Sequence, residues 1–177
     1  MTDSPHNHGR VIVVMGVSGS GKSHIGRAIA ERLGASFHDG DDYHPDDNVQ
    51  KMRAGTPLTD DDRMHWLDRL NALAREVLDE GEQTVIACSA LRRAYRERLA
   101  GGDPRVMFVF LDGSFETIRE RLCGREDHFF PESLLRSQFD TLEPPTADEA
   151  IRVDIDAPAE RVVETALHAL DARHSSA

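Results

Sequence analysis

Short apolar runs alternate along the chain with longer stretches whose apolar residues recur every three or four positions. The runs are VIVVMG (11–16), a shorter one near 35–38, TVIAC (84–88), RVMFVFL (105–111) and IRVDI (151–155). Brief apolar runs bounded by Gly, Pro or charge predict buried strands. Between them, residues 22–33 carry Ile25, Ile29 and Leu33 at helical spacing. Pro45 stands where a helix's first turn belongs, so residues 46–53 read as a helix. Thr59 has the chemistry of an N-cap, and Asp60, Asp61 and Asp62 follow where the helix dipole favours anions. From there Trp66, Leu67, Leu70, Leu73, Ala74, Val77 and Leu78 keep one face apolar as far as Gly81. Further helices are predicted over 91–100, 115–122, 131–139 and 158–173, with 141–149 a loop. Strands alternating with helices predict an α/β class protein. Five strands and right-handed crossovers make it a three-layer α/β/α domain.

Composition narrows the setting. A chain of 177 residues suits one domain, expected over 10–173, with flexible tails at 1–9 and 174–177. No apolar run approaches the ~18 residues of a membrane span. The first ten residues are polar, without the apolar stretch of a signal peptide. Cys88 and Cys123 form no CxxC pair, which fits reduced thiols and a cytoplasmic protein. The net charge of −11 argues against general nucleic-acid or anionic-membrane binding, both of which need a basic surface. Only positions 22 and 51 are lysine, so each lysine is informative.

The first lysine falls in GVSGSGKS (16–23), which satisfies G-x-x-x-x-G-K-[ST] between a predicted strand and a predicted helix. Glycines let backbone N–H groups converge on phosphate oxygens, and the helix start adds its positive end. Gly16, Ser18, Gly19, Ser20 and Gly21 are therefore expected to cradle the phosphates of ATP. Lys22 is expected on the β- and γ-phosphates, and Ser23 on Mg2+. This motif alone leaves hydrolysis, switching and transfer open. A Ras-like GTPase is disfavoured, since neither lysine lies in an N/T-K-x-D motif. Asp112, closing the fourth strand, resembles the acid of a Walker-type ATPase by composition, but reads better as a strand-end residue. In small-molecule kinases the acids follow the second strand, and FHDGDDYHPDDN (37–48) lies there, five of its twelve residues Asp. A second cluster, Arg119, Arg121 and Arg125, sits where a helix runs into a loop, and reads as an arginine-bearing lid over roughly 121–135.

These motifs together resemble the gluconokinases, within the group of shikimate-kinase-like and nucleoside-monophosphate-kinase-like P-loop kinases. The likeness runs from about Val11 to the last helix, through GVSGSGKS, DGDDYHPDDNVQKM, GTPLTDDDRMHWL, CSALRRAYR, REDHFF and SQFDTLEPP in that order. It implies ATP-dependent phosphorylation of D-gluconate at O6, strand order 2-3-1-4-5, a mobile lid and a homodimer. It also implies residue roles. Asp39 would hold Mg2+, directly or through water, and Asp41 would hydrogen-bond the acceptor hydroxyl and help take its proton. An extended backbone through Gly40 would aim both the same way. His44 is a candidate for sugar hydroxyls, Arg53 and Arg63 for the gluconate carboxylate. Ser89, Arg93 and Arg96 follow the third strand at the ligand-binding edge of the sheet. Arg121 and Arg125 are candidates for the transition state, His128 for lid or substrate, and Gln138 for substrate. Trp66 is assigned to the core, and Asp60 and Asp61 to the helix start. Asp62 is a candidate partner for a nearby arginine. The family carries lysine at the positions of Arg92 and Arg93, and glycine at that of Asp127. A kinase for another small hydroxy acid, and a nucleotide-dependent switch or binding protein, are the alternatives.

Overall fold

In the computed structural model, which describes residues 9–124 and 130–176, the five strand-forming runs pair in parallel as one sheet. The strands are β1 (Arg10–Met15), β2 (Ser36–Asp39), β3 (Gln83–Ala87), β4 (Val106–Asp112) and β5 (Ala150–Asp154). Their order is β2-β3-β1-β4-β5, as the resemblance implies. Helices α1 (Lys22–Leu33), α2 (Asp46–Arg53), α3 (Asp60–Asp79) and α4 (Arg93–Ala100) follow along the first half. Helices α5 (Phe115–Cys123), α6 (Glu132–Thr141) and α7 (Ala159–Ser175) complete the chain.

Side-chain alternation along a doubly covered sheet produces two cores. Ile12 and Val14 of β1 face one way and join Ile25, Ile29, Val109, Val162 and Leu170. Val11, Val13 and Met15 face the other way and join Leu67, Leu70, Tyr95 and Leu99 beneath α3 and α4. The α3 N-terminus has the expected cap: Thr59 accepts from the Asp62 N–H, and the Asp62 carboxylate accepts from the Thr59 N–H. Asp62 pairs with Lys51 at 2.8 Å, not with an arginine, because α2 lays that lysine beside the cap.

Some boundaries differ from expectation. The helix predicted from Leu91 starts at Arg93, because Ala90 takes a left-handed φ of 44° and Arg92 stays extended. The last helix runs to Ser175, beyond the expected tail boundary at 174. Within the span expected for a lid, Arg121 belongs to α5 and Leu135 is buried in α6. Residues 1–8, 125–129 and 177 lie outside the described residues, and with them most of the expected N-terminal tail.

Strand order reverses at β1, which lies between β3 and β4. Val14 and Asp39 both pair with Ala87, so the carboxyl ends of β1, β2 and β3 are level. The loops leaving these ends open onto one crevice, where open parallel sheets bind ligands.

Candidate active site

The glycine loop leaves β1 and enters α1 at Lys22. Gly19 has a φ of +82°, and a Cβ there would come within 2.7 Å of the Leu122 side chain. The loop therefore requires glycine both for conformation and for room. Gly16 donates its N–H to the Ser89 carbonyl at 3.3 Å, joining the loop to the turn after β3.

A cavity of about 910 Å3 opens beside this loop. Ser18, Gly19, Gly21, Lys22 and Ser23 line one side, and Asp39, Asp41 and His44 another. Arg63, Tyr95 and Ser89 lie on the same wall, while Leu134 and Gln138 come from α6. The Lys22 ammonium donates to the Val17 carbonyl at 3.0 Å. Burial lowers its pKa, opposed by the negative charge of Asp41 and Asp39. The Ser23 hydroxyl lies 3.4 Å from an Asp39 carboxylate oxygen. A hydroxyl beside a carboxylate is an all-oxygen donor pair, suited to a hard cation such as Mg2+. Among the described residues there is no group of three or more His, Cys, Asp or Glu able to hold a metal alone.

The expectation that Asp39 and Asp41 share an extended segment is corrected. Asp39 ends β2 and caps a 3-10 turn, Gly40–Tyr43, by accepting from the Asp41 N–H at 3.0 Å. The turn still brings both carboxylates to the cavity, because its bend compensates for the lost alternation. Gly40 is needed at the bend, since a Cβ would lie 2.5 Å from the Ala87 carbonyl oxygen. Asp41 keeps 85% of its side-chain surface exposed. Crowding by the cavity wall, and then the charge of Asp39, raises its pKa even so, with Lys22 opposing.

His44 is held by its neighbours. Its ring stacks on Trp66 with centroids 4.3 Å apart, and its Nε2 is 3.9 Å from Asp41. Burial lowers its pKa, which favours the neutral imidazole. Trp66 is buried as expected, but it also lines the cavity and donates its indole N–H to the Gly40 carbonyl at 2.7 Å. It thereby anchors the turn that carries Asp41.

Arg63 reaches the cavity and is oriented by Tyr95, whose hydroxyl accepts from it at 3.3 Å. The same hydroxyl donates to Asp60 at 2.6 Å, and Arg92 lies 3.6 Å from Asp60. Asp60 thus has a partner across two helices in addition to its place at a helix start. Tyr95, Trp66 and the buried Cys88 were not singled out as site residues from sequence. Each reads there as one apolar position among many, although Tyr95 shares the CSALRRAYR motif with the arginines that were chosen. Burial pushes the Cys88 thiol up to about 12, so it stays neutral.

Four other candidates lie elsewhere. Arg53 ends α2, exposed and outside the cavity lining. Arg93 points outward to Glu97 and Glu149. Arg96 is buried and donates to the carbonyls of Ala90, Leu91 and Glu143, which makes it a brace for the left-handed turn after β3. A helix turn of about 100° per residue separates these arginines from the inward-facing Tyr95. Arg121 donates to the Ile155 carbonyl at 2.6 Å and lines a separate cavity of about 210 Å3 behind the glycine loop. Arg119 pairs with Glu132 at 3.1 Å. Arg125 and His128 lie outside the described residues. Asp112 bonds Arg152 on the neighbouring strand, as a strand-end residue would.

A glycine phosphate loop at the switch point of a parallel 2-3-1-4-5 sheet, facing acids at the end of β2, defines a P-loop kinase. The profile of a family described as "AAA domain" matches residues 11–145, which contain that loop. The chain is 47% identical over 158 residues to the thermosensitive gluconokinase of Escherichia coli (strain K12), covering 88% of this chain and 84% of that one. It is 44% identical to the thermoresistant gluconokinase of the same organism, over 96% and 98% of the two chains. A crystal structure of a gluconokinase from Sinorhizobium meliloti 1021 superposes with a TM-score of 0.83 at 46% identity, covering 94% of each chain. The chain belongs to the gluconokinase family. Shikimate kinase from Aquifex aeolicus, at 22% identity and a TM-score of 0.59 over 94% and 99% of the chains, shares the fold.

Proposed function

We propose that the protein transfers the γ-phosphoryl group of ATP to the O6 hydroxyl of D-gluconate, giving 6-phospho-D-gluconate and ADP. The observation that carries this reading is the convergence of Lys22, Ser23, Asp39 and Asp41 on one cavity that also holds Arg63. In the transfer the acceptor oxygen bonds the γ-phosphorus, the bond from phosphorus to the β,γ-bridging oxygen breaks, and the hydroxyl proton passes to Asp41. Lys22 leaves the Val17 carbonyl for the β- and γ-phosphates. Ser23 and Asp39 would hold Mg2+, which offsets phosphate charge when bound. Arg63, oriented by Tyr95, faces the gluconate carboxylate, and His44 and Ser89 meet hydroxyls between the two ends. Gly21 and His24 line both cavities, so the smaller one, with Arg121 on its wall, takes the nucleoside end of ATP.

The reading extends to one kinase domain, expected from sequence over 10–173 and carrying a lid; Arg125 and His128, the residues expected on that lid, lie outside the described residues. It also extends to a cytoplasmic homodimer, on the family resemblance. No helix of the described residues is long and apolar enough to cross a membrane.

An ADP-release assay across gluconate, other aldonates, polyols and shikimate tests the proposal. Gluconate should give the highest kcat/KM. A higher value for another hydroxy acid moves the assignment to that substrate. ATP binding with no transfer to any acceptor makes the protein a nucleotide-binding switch.

A further inference from the structure

The geometry points to Gln138 as a positioning residue for the phosphate loop: its carboxamide clamps Ser18 and ties the loop's crest to α6. Gln138 Oε1 accepts from the Ser18 backbone N–H at 2.7 Å, and Gln138 Nε2 donates to the Ser18 hydroxyl oxygen at 2.9 Å. The pairing is chemically directional. A carboxamide presents an acceptor and a donor side by side, and turning it over would set an NH2 against the Ser18 N–H. Carboxylate, hydroxyl and amine side chains lack that combination.

Val17 anchors the glycine loop in the core, but few hydrogen bonds fix its crest. Gly16, Gly19 and Gly21 all have positive φ, and glycine loses more conformational entropy on being ordered than any other residue. Its other hydrogen bonds are internal or run backbone to backbone, from Lys22 and Ser20 to Val17 and from Gly16 to Ser89. Among the described residues, Gln138 is the only side chain from outside the motif that hydrogen-bonds residues 16–21. The helix that presents it is itself fixed. Leu135 is buried in the core, and Phe139 packs edge-on against Phe115. Just past its end, Glu143 donates its N–H to Leu91 and accepts from Arg96.

Gln138 therefore shapes the loop before nucleotide arrives. It occupies the Ser18 N–H, as the Val17 carbonyl occupies that of Ser20, and leaves the N–H groups of Gly19, Gly21, Lys22 and Ser23 to the phosphates. Ordering completed in advance is not charged against binding. The role expected from sequence, direct contact with the acceptor, is a different one, and the two separate experimentally.

This inference rests on the loop being the ATP phosphate site. The test uses the full chain and Gln138→Met, which keeps length and volume but removes the paired donor and acceptor. Three quantities are read: hydrogen exchange of the Ser18 amide without nucleotide, the Kd of a non-hydrolysable ATP analogue with Mg2+ and no acceptor, and the KM for gluconate. The expected result is faster Ser18 exchange and a Kd raised roughly tenfold, as for the loss of two hydrogen bonds. The gluconate KM stays within about twofold and the melting temperature is unchanged. Ser18→Ala, which loses only the hydroxyl, should raise the Kd by a smaller factor, about two- to threefold. It also serves if Gln138→Met does not fold. Unchanged analogue affinity in the variants overturns the inference, as does a raised gluconate KM with unchanged analogue affinity. If the wild-type protein does not bind the analogue, the phosphate-site reading itself fails.

Discussion

Asp41, proposed above as the proton acceptor, shows how surroundings set the chemistry of a single residue. Crowding by the cavity wall, and then the charge of its neighbour Asp39, raises its pKa while Lys22 draws it down, so it is a better proton acceptor than a free aspartate. Asp41→Asn should lower kcat by about 10²-fold or more, the scale of a lost general base, with a much smaller change in the ATP KM. A raised pKa also means protonation at a higher pH than usual for an aspartate. The acid limb of kcat/KM in the wild type should therefore lie above the ordinary carboxylate range and vanish in Asp41→Asn. Wild-type kcat in that variant would remove Asp41 from the acceptor site. Lys22→Ala should reduce turnover by about 10²–10³-fold if, as proposed, its ammonium meets the transferring group.

At the scale of elements, the junction between α2 and α3 carries a small electrostatic structure of its own. Thr59 and Asp62 cap α3 reciprocally, and Lys51 from α2 adds an ion pair. Thr59→Ala should cost about 1 kcal/mol, read as a fall in melting temperature of about 2–4 °C. These bonds hold the Asp62 carboxyl at about 2, below the usual 3.8 of an aspartate. A depressed folded-state pKa contributes stability above the unfolded value, and that contribution is lost as pH falls through the folded one. The stability difference between wild type and Asp62→Asn should thus be present at neutral pH and shrink between about pH 4 and pH 2. A difference that persisted at pH 2 would remove the ion pair and cap as its source. The turn after β3 is the second element-scale device. Its left-handed Ala90 is kept by Arg96, which is buried beneath the turn and gives three hydrogen bonds to backbone carbonyls, so the guanidinium is held away from the cavity.

For the whole molecule, the sheet separates two apolar layers that share its strands. Leu70 is fully buried on one side and Ile29 on the other. Leu70→Ala and Ile29→Ala should each cost about 2–5 kcal/mol. Because the sheet lies between them, urea unfolding of the double variant should give the sum to within about 0.5 kcal/mol. A shortfall larger than that would mean that the strands transmit strain between layers. The crevice at the carboxyl ends of β1, β2 and β3 follows from this same arrangement. Three loops from level strand ends meet there, and their side chains form a site that no single segment contains.

Period and punctuation along the chain were enough to predict the strands, most helix boundaries and the glycine loop. These features are local: alternation, helical spacing, caps and a phosphate-binding motif are each written within a few consecutive residues. The family resemblance added the strand order and the separate roles expected of the acids after β2. Direction of long side chains was not legible. Arg53, Arg93, Arg96 and Arg121 have the right charge in the right segments, yet a guanidinium can reach an acid, a carbonyl or solvent with equal ease. Which it reaches depends on what packs across from it. Gln138 and Ser18 are 120 positions apart, and Tyr95 meets Asp60 only because α4 lies against α3. Such contacts are decided when layers close, because only then does each polar group find the partner that replaces its water.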